Sequence, residues 1–245
     1  MTIFILIGAF AGSIVGIFYY HKWRMSDLRI TGTEALKNDE VAGAARRFLD
    51  QKILYILPGD NFALLRSDAL AANLAATLPT IKTIALDRVW PGRLDIAIKE
   101  RKSWGIYCLP TGQAGTDTCF LIDEEGVAYA PAPAFEGSLI IKVTDERSGQ
   151  QVHPGDKIVI TRPVKEIYDK LSAAAGERLL GVTINTDTEW QAQSLSGSRI
   201  LIDAATDLDT AAKNLKIVLQ EVGDRRAHLD YIDLRYGRKI YYKLK

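Results

Sequence analysis

Residues 83–101, TIALDRVWPGRLDIAIKER, decide the fold. Before the turn Ile84, Leu86 and Arg88 alternate with Ala85, Asp87 and Val89; after it Leu94, Ile96 and Ile98 alternate with Asp95, Ala97 and Lys99. Apolar residues at every second position give a strand one buried face. Pro91-Gly92 suits the two central positions of a tight turn, because proline presets φ and glycine accepts a positive one. The stretch predicts an antiparallel hairpin whose apolar face needs a cover.

The cover lies upstream. Asn38 is placed to cap a helix running to about Gln51, with Val41, Ala44, Ala45, Phe48 and Leu49 on one stripe. Ser67 is placed to cap a second, with Leu70, Leu74 and Leu78 as its apolar face and Pro79 as its stop. Leu28–Gly32 reads as a short strand ending in a turn. The resulting β-α-α-β-β unit can bury one sheet face under two helices.

Downstream of Ser103 the chain is rich in strands, with two helices. Trp104–Cys108 and Cys119–Ile122 flank a polar loop, and Val127–Tyr129 and Ser138–Val143 follow as strands. Pro163 fits the first position of a helix that carries Val164, Ile167, Tyr168 and Leu171 and stops before Gly176. Strands are expected at Thr183–Asn185, Trp190–Ser194 and Ile200–Asp203. Leu208, Ala211, Leu215, Leu219 and Val222 form the face of a further helix, closed by Gly223. No repeat is visible. The only two cysteines, Cys108 and Cys119, bracket one expected hairpin. Outside the cytoplasm facing strands could hold them close enough for a disulfide; two independent buried thiols are the plain alternative.

Thr2–Tyr20 carries no charge over 19 residues, a length that as a helix matches a bilayer core. Tyr19, Tyr20 and Trp23 beside Lys22 and Arg24 suit an interfacial belt. A cleaved signal peptide would need a basic start, a shorter apolar core and a small-residue cleavage site, and the stretch has none of them. Residues 1–24 are therefore expected to be a membrane anchor. Gly8, Gly12 and Gly16 recur every fourth residue, a ridge on which another helix could pack; glycine is also simply common in such helices. Lys22 and Arg24 taken alone would hold the body in the cytoplasm, although long domains cross largely regardless of two charges.

Little points to chemistry. Net charge is +1 and no long basic block occurs, which argues against nucleic acid. His21, His153 and His228 lack metal-ligand spacing, and no nucleophile-elbow, zinc-protease or phosphate-loop string is present. No cofactor, no metal and no small-molecule substrate are expected. The chain ends on YIDLRYGRKIYYKLK, residues 231–245, where Ile232, Leu234, Tyr236, Arg238, Ile240, Tyr242 and Leu244 alternate with a more polar set. A tyrosine-rich last strand guarded by Arg238, Lys239 and Lys243 reads as a sheet edge protected against self-pairing.

Arg88–Lys102, RVWPGRLDIAIKERK, resembles the end of the POTRA domain of FtsQ/DivIB cell-division proteins, which closes on a hydrophobic-x-R-x-W-P-x-x-L-x-I-x-I-x-E-R pattern. Leu28–Gly32, Asn61–Leu65 and Leu78–Lys82 are similar to earlier segments of that domain. Phe120–Val127, FLIDEEGV, is similar to the opening of the family's second domain, and Tyr231–Tyr236 with Lys239–Lys243 to its close. Lys142–Thr161 carries no matching motif, and the cytoplasmic tail usual in the family is longer.

The resemblance implies an α+β chain: an anchor over 1–24, a POTRA domain over 25–101 and a mixed, mainly antiparallel β domain with two helices over 102–245. It implies a single-pass plasma-membrane protein at the division site, N-terminus in the cytoplasm and body outside. Its role would be a non-enzymatic scaffold for FtsB/DivIC-like and FtsL-like bitopic partners, linking them to septal peptidoglycan synthesis. The terminal strand is then the expected docking edge, through Arg235, Tyr236, Gly237, Arg238, Lys239, Ile240, Tyr241 and Tyr242. A POTRA-bearing translocation or envelope-assembly component would be expected to repeat the unit or carry a barrel. A membrane-anchored enzyme would need a site built from scattered carboxylates.

Overall fold

A computed structural model describes residues 16, 19–110, 117–133, 140–147, 149–158 and 163–245. They form two compact units, divided between Arg101 and Lys102. The first contains β1 (Asp27–Thr31), α1 (Asn38–Leu49), β2 (Lys52–Ile53), β3 (Leu57–Pro58), α2 (Ser67–Thr77), β4 (Ile81–Val89) and β5 (Arg93–Glu100). β5 is central: β1 runs parallel to it with Leu28 opposite Leu94, and β4 antiparallel with Leu86 opposite Ile96. Leu94, Ile96 and Ile98 bury their face in one cluster with Val41, Ala45 and Leu49 of α1 and Leu70 and Leu74 of α2. Burying each of the Val, Leu and Ile side chains contributes about 1.5–3 kcal/mol. Both stripes read from the sequence face this core.

The helix starts differ from expectation by one residue. Lys37 and Arg66 occupy the cap positions without side-chain bonds, so Asn38 and Ser67 are the first helical residues. The Asn38 Oδ1 is engaged elsewhere, accepting from Thr33 Oγ1 at 2.7 Å. The hairpin turn also differs. Val89 opposes Arg93, so the loop contains Trp90 as well as Pro91 and Gly92, with a cis Trp90–Pro91 bond. Gly92 has φ +64°, and a Cβ there would come within 2.5 Å of the Arg24 carbonyl oxygen. Only glycine fits.

The remaining residues of the 88–102 pattern hold loops. Trp90 packs edge-on against Trp23 and Phe62, with ring centroids 5.2 and 5.5 Å away, and Arg88 lies over the Phe62 ring. The buried Glu100 carboxylate accepts N–H bonds from Glu34 (2.7 Å), Ala35 (2.9 Å) and Leu36 (2.9 Å). Burial alone would raise its pKa; the three backbone donors outweigh that and hold it below the usual range. Arg101 Nε donates to the Pro79 carbonyl at 3.1 Å.

The second unit contains β6 (Gly105–Leu109), β7 (Thr118–Ile122), β8 (Ala128–Pro131), β9 (Ile141–Asp145), α3 (Val164–Ala175), β10 (Gly181–Ile184), β11 (Glu189–Gln193), β12 (Arg199–Asp203), α4 (Leu208–Val222), β13 (Leu229–Asp233) and β14 (Tyr241–Leu244). They make one nine-stranded sheet in the order β14-β13-β12-β11-β10-β9-β6-β7-β8. Five of its pairings are antiparallel and three parallel. Pro163 stands just before α3 rather than at its first position.

A duplication that the sequence does not display appears in the topology. β9-α3-β10-β11 and β12-α4-β13-β14 are each a parallel pair bridged by a helix and closed by an antiparallel strand. Ile167 and Leu171 of α3 and Leu215 and Leu219 of α4 share one core cluster with Val182, Trp190, Ile202 and Ile232. Asp207 caps α4, its Oδ2 accepting from Thr210 N–H at 2.8 Å. Cys108 and Cys119 face each other in the β6–β7 register and are joined by a disulfide.

Gly8 and Gly12 lie outside the described residues, as does nearly all of Thr2–Tyr20. A Cβ built on Gly16 would meet nothing within 4 Å. Among the described residues no helix is long and apolar enough to cross a membrane.

Candidate interaction edge

The alternation from Ile232 to Leu244 predicts one strand; the structure folds it into a hairpin. Arg235–Arg238 are a turn, with Gly237 at φ +63°, and only Tyr241–Leu244 form β14. Of the predicted site residues Arg235, Tyr236, Gly237, Arg238, Lys239 and Ile240 are therefore outside the strand, whereas Tyr241 and Tyr242 are in it. The cause is local. Asp233 ends β13 by accepting the Arg235 N–H on Oδ1 at 3.1 Å, an Asx-type bond that competes with strand continuation. Asn214 Nδ2 then pins the Gly237 carbonyl at 2.7 Å.

Charge closes the same corner. The buried Asp233 carboxylate receives Arg235 Nε at 2.9 Å and an Nη at 2.7 Å, while the other Nη reaches Glu189 at 2.8 Å. Burial would raise the Asp233 pKa, but Arg235 outweighs it and holds the carboxyl below its ordinary value. The hydrogen bond to Asp233 raises Arg235 in turn. Asp145 and Arg147 repeat the arrangement after β9, with Arg147 reaching Asp187 at 2.5 Å. The Asp-x-Arg string occurs at both places in the sequence, a signal that reading for catalytic motifs passed over.

β14 is the border of the sheet. Leu234 N–H donates inward to Leu201 O at 2.9 Å, so by alternation Tyr231 and Asp233 turn their N–H groups toward β14. Lys245 N–H donates to His228 O at 2.7 Å, which sets Tyr241 and Lys243 inward and leaves Tyr242 and Leu244 facing out. The bulge between Leu229 and Tyr231 lies on β13, so β14 keeps its alternation. Among the described residues no strand pairs with this outer row. Tyr242, Leu244 and Ile240 are half-buried on the core, whereas Tyr241 and Lys243 are exposed. Tyr236 and Tyr241 stack edge-to-face at 5.5 Å, beside the open row. Among the described residues no cluster of three or more His, Cys, Asp or Glu is arranged to hold a metal ion.

Comparison with known proteins agrees with this architecture. Residues 24–101 match the model for a POTRA domain, FtsQ-type, and residues 113–235 match the model for the C-terminal region of the cell division protein FtsQ/DivIB. The second match stops at Arg235, before β14. A protein named Cell division protein FtsQ from Streptomyces bingchenggensis (strain BCW-1) is 29% identical over 145 residues, 58% of this chain and 49% of that relative. One of the same name from Streptomyces collinus is 24% identical over 226 residues, 90% of this chain and 79% of the relative. The matched stretch thus spans about half of the first relative and most of the second. With both units matched in order by their own models, the chain belongs to the FtsQ/DivIB family of cell-division proteins.

Proposed function

We propose that the protein is a non-enzymatic divisome scaffold whose C-terminal sheet accepts a strand from an FtsB/DivIC-like bitopic partner. The observation that carries this is the open outer row of Tyr242 and Leu244 on β14. An unpaired row of N–H and C=O groups is a template for strand addition, with main-chain bonds giving affinity and side-chain contacts giving specificity. Arg238, Lys239 and Lys243 disfavour pairing of two identical edges, and the exposed Tyr236–Tyr241 pair offers aromatic anchors. An FtsL-like partner joins the same complex.

Thr2–Tyr20 anchors the body in the plasma membrane at the division site, N-terminus in the cytoplasm and body outside. The charge-free length supports the span, and family membership supports the orientation against the two charges of Lys22 and Arg24. A reporter active only outside the cytoplasm, fused after Lys245, is expected to be active; silence from a well-expressed fusion would reverse it.

Amide exchange tests the edge. Adding the soluble part of the FtsB/DivIC-like partner should slow exchange at Tyr242 and Leu244 and leave the already bonded Tyr241 little changed. Binding without new protection on the outer row would move the docking site elsewhere.

A further inference from the structure

A second exposed apolar feature lies in the first unit, on a turn that strand addition does not use. β2 and β3 are joined by Leu54, Tyr55 and Ile56, with Ile56 N–H donating to Ile53 O at 3.2 Å. Leu54 and Tyr55 both take the left-handed conformation, φ +50° and +64°. Turns with two successive left-handed residues are ordinarily built from Asn, Asp and Gly, because a Cβ is crowded there. Here the positions instead hold large apolar side chains. Leu54 is 78% exposed, Tyr55 94% and Ile56 58%, and none belongs to the core cluster of its unit.

The chain leaving the apolar N-terminal stretch is clipped to this hairpin. The Tyr19 hydroxyl donates to Ile56 O. Arg24 bridges to Asn61, Phe62 N–H donates to Trp23 O at 2.7 Å, and Met25 N–H donates to Asp60 O at 2.7 Å. The Arg24 guanidinium also grips the Asp60 carboxylate at 2.7 Å. One hydrogen bond thus ties the tip to Tyr19, and the bonds to Asp60, Asn61 and Phe62 hold the segment just after β3 to residues 23–25; Tyr19 and Tyr20 are themselves 44% and 50% exposed.

We infer that the Leu54-Tyr55-Ile56 tip is a membrane-interface contact, seated in the headgroup–acyl boundary of the leaflet that the anchor leaves. The inference rests on reading Thr2–Tyr20 as a membrane span. Tyrosines at the end of a span sit at headgroup level, and a tip bonded to one of them is held at that depth. Aromatic and aliphatic side chains suit that layer, and the exposed Lys22 and Lys52 supply cations for phosphate groups. The strained turn then has a use: it presents three apolar side chains outward at a place where water is replaced by lipid.

The test uses the full chain in nanodiscs containing anionic phospholipid. An environment-sensitive fluorophore on Tyr55→Cys, with the native cysteines left paired, is challenged with lipids carrying a nitroxide at a shallow acyl position. The label is expected to lose most of its emission, and Leu54→Glu with Ile56→Glu in the same background should restore it. A label on Gly12→Cys reports the span independently through deep nitroxides. Quenching at Gly12 with an unquenched, water-exposed Tyr55 label overturns the hairpin contact and leaves the anchor standing. No quenching at either position overturns both. Shielding of the Tyr55 label only after a bitopic partner is added also overturns the lipid contact and assigns the tip to protein.

Discussion

At one border of the nine-stranded sheet residues 155–158 back Gly126–Ala128, where β8 begins, whereas at the other β14 turns the N–H groups of Tyr242 and Leu244 outward. The backing is bonded. Ala128 N–H donates to Asp156 O at 2.9 Å, Gly155 N–H returns to Ala128 O at 2.7 Å, and Ile158 N–H donates to Gly126 O at 2.9 Å. The neighbouring β6–β7 pair is also cross-linked by Cys108–Cys119. The loop takes up main-chain groups where β8 begins, and the disulfide ties together the two strands next to it. The open border is instead stiffened from within, by Asp233, Arg235 and Asn214 fixing its turn. One sheet thus treats its two borders oppositely, as expected if one is for stability and the other for association.

Removing the staple should give the largest stability change and leave the open border alone. Replacing both Cys108 and Cys119 by alanine is expected to lower unfolding stability by about 2–3 kcal/mol, the entropy of a loop of this length. Urea unfolding with and without reductant measures it. Partner capture should persist at temperatures where the variant is folded. Thiols found free to alkylation in protein from the native envelope would show that the closed border works without its cross-link.

Arg235→Gln attacks the open border from inside. Removing the guanidinium leaves the buried Asp233 carboxylate short of its partner, at a cost of about 1.5–3 kcal/mol. The folded Asp233 pKa lies below its unfolded value, so below about pH 4 the unfolded chain takes up the proton first. Its stabilisation is complete above that pH and is lost as the pH falls through the folded value. In the variant this acid limb should flatten, with the part contributed by the Asp145–Arg147 pair remaining. A limb of unchanged steepness would show that the corner does not depend on the ion pair.

How much of this was legible differs between the borders. Leu94, Ile96 and Ile98 announce the first unit because period-two burial and turn residues act locally. The β14 side chains were legible for the same reason, but the turn before it was not. Tyr236 and Ile240 keep the apolar phase through Arg235–Arg238, so the pattern alone continues the strand. What breaks it is the Asp233–Arg235 bond, which leaves the apolar phase untouched, and a tertiary contact that holds the turn, Asn214 reaching Gly237 from α4. The backing of β8 lies in Lys142–Thr161, which no motif marked, because its bonds come from the main chain and leave little trace in side-chain choice. The paired βαββ halves are equally silent, since core packing accepts different apolar residues at equivalent places.

Proline substitution separates the two rows of β14. Tyr241→Pro removes an inward N–H bond and leaves a carbonyl of β13 without its donor, costing about 1–3 kcal/mol. Tyr242→Pro removes only an outward N–H, so it should be no less stable than Tyr242→Ala, which loses the same side chain. Thermal unfolding checks both. Partner binding should survive Tyr242→Ala better than Tyr242→Pro. Equal binding by these two variants would mean that the outer row is not what the partner uses.

The smallest stability effect is expected from Tyr236→Ala, and it bears on what the open border recognises. Tyr236 is exposed, touching the Tyr241 ring edge-to-face at 5.5 Å, with Arg235 above its own ring at 5.7 Å. Contacts of this kind between half-solvated rings are worth below about 1 kcal/mol, so unfolding should barely shift. Binding should shift more, because a tyrosine desolvated by a partner is a common hot spot worth about 2 kcal/mol, close to thirtyfold in Kd. Leu195, exposed in the turn between β11 and β12, is the control, and Leu195→Ala should leave Kd alone. If Tyr236→Ala binds as tightly as Leu195→Ala, the border associates through its main chain only. The tyrosine pair would then serve the hairpin turn rather than the partner.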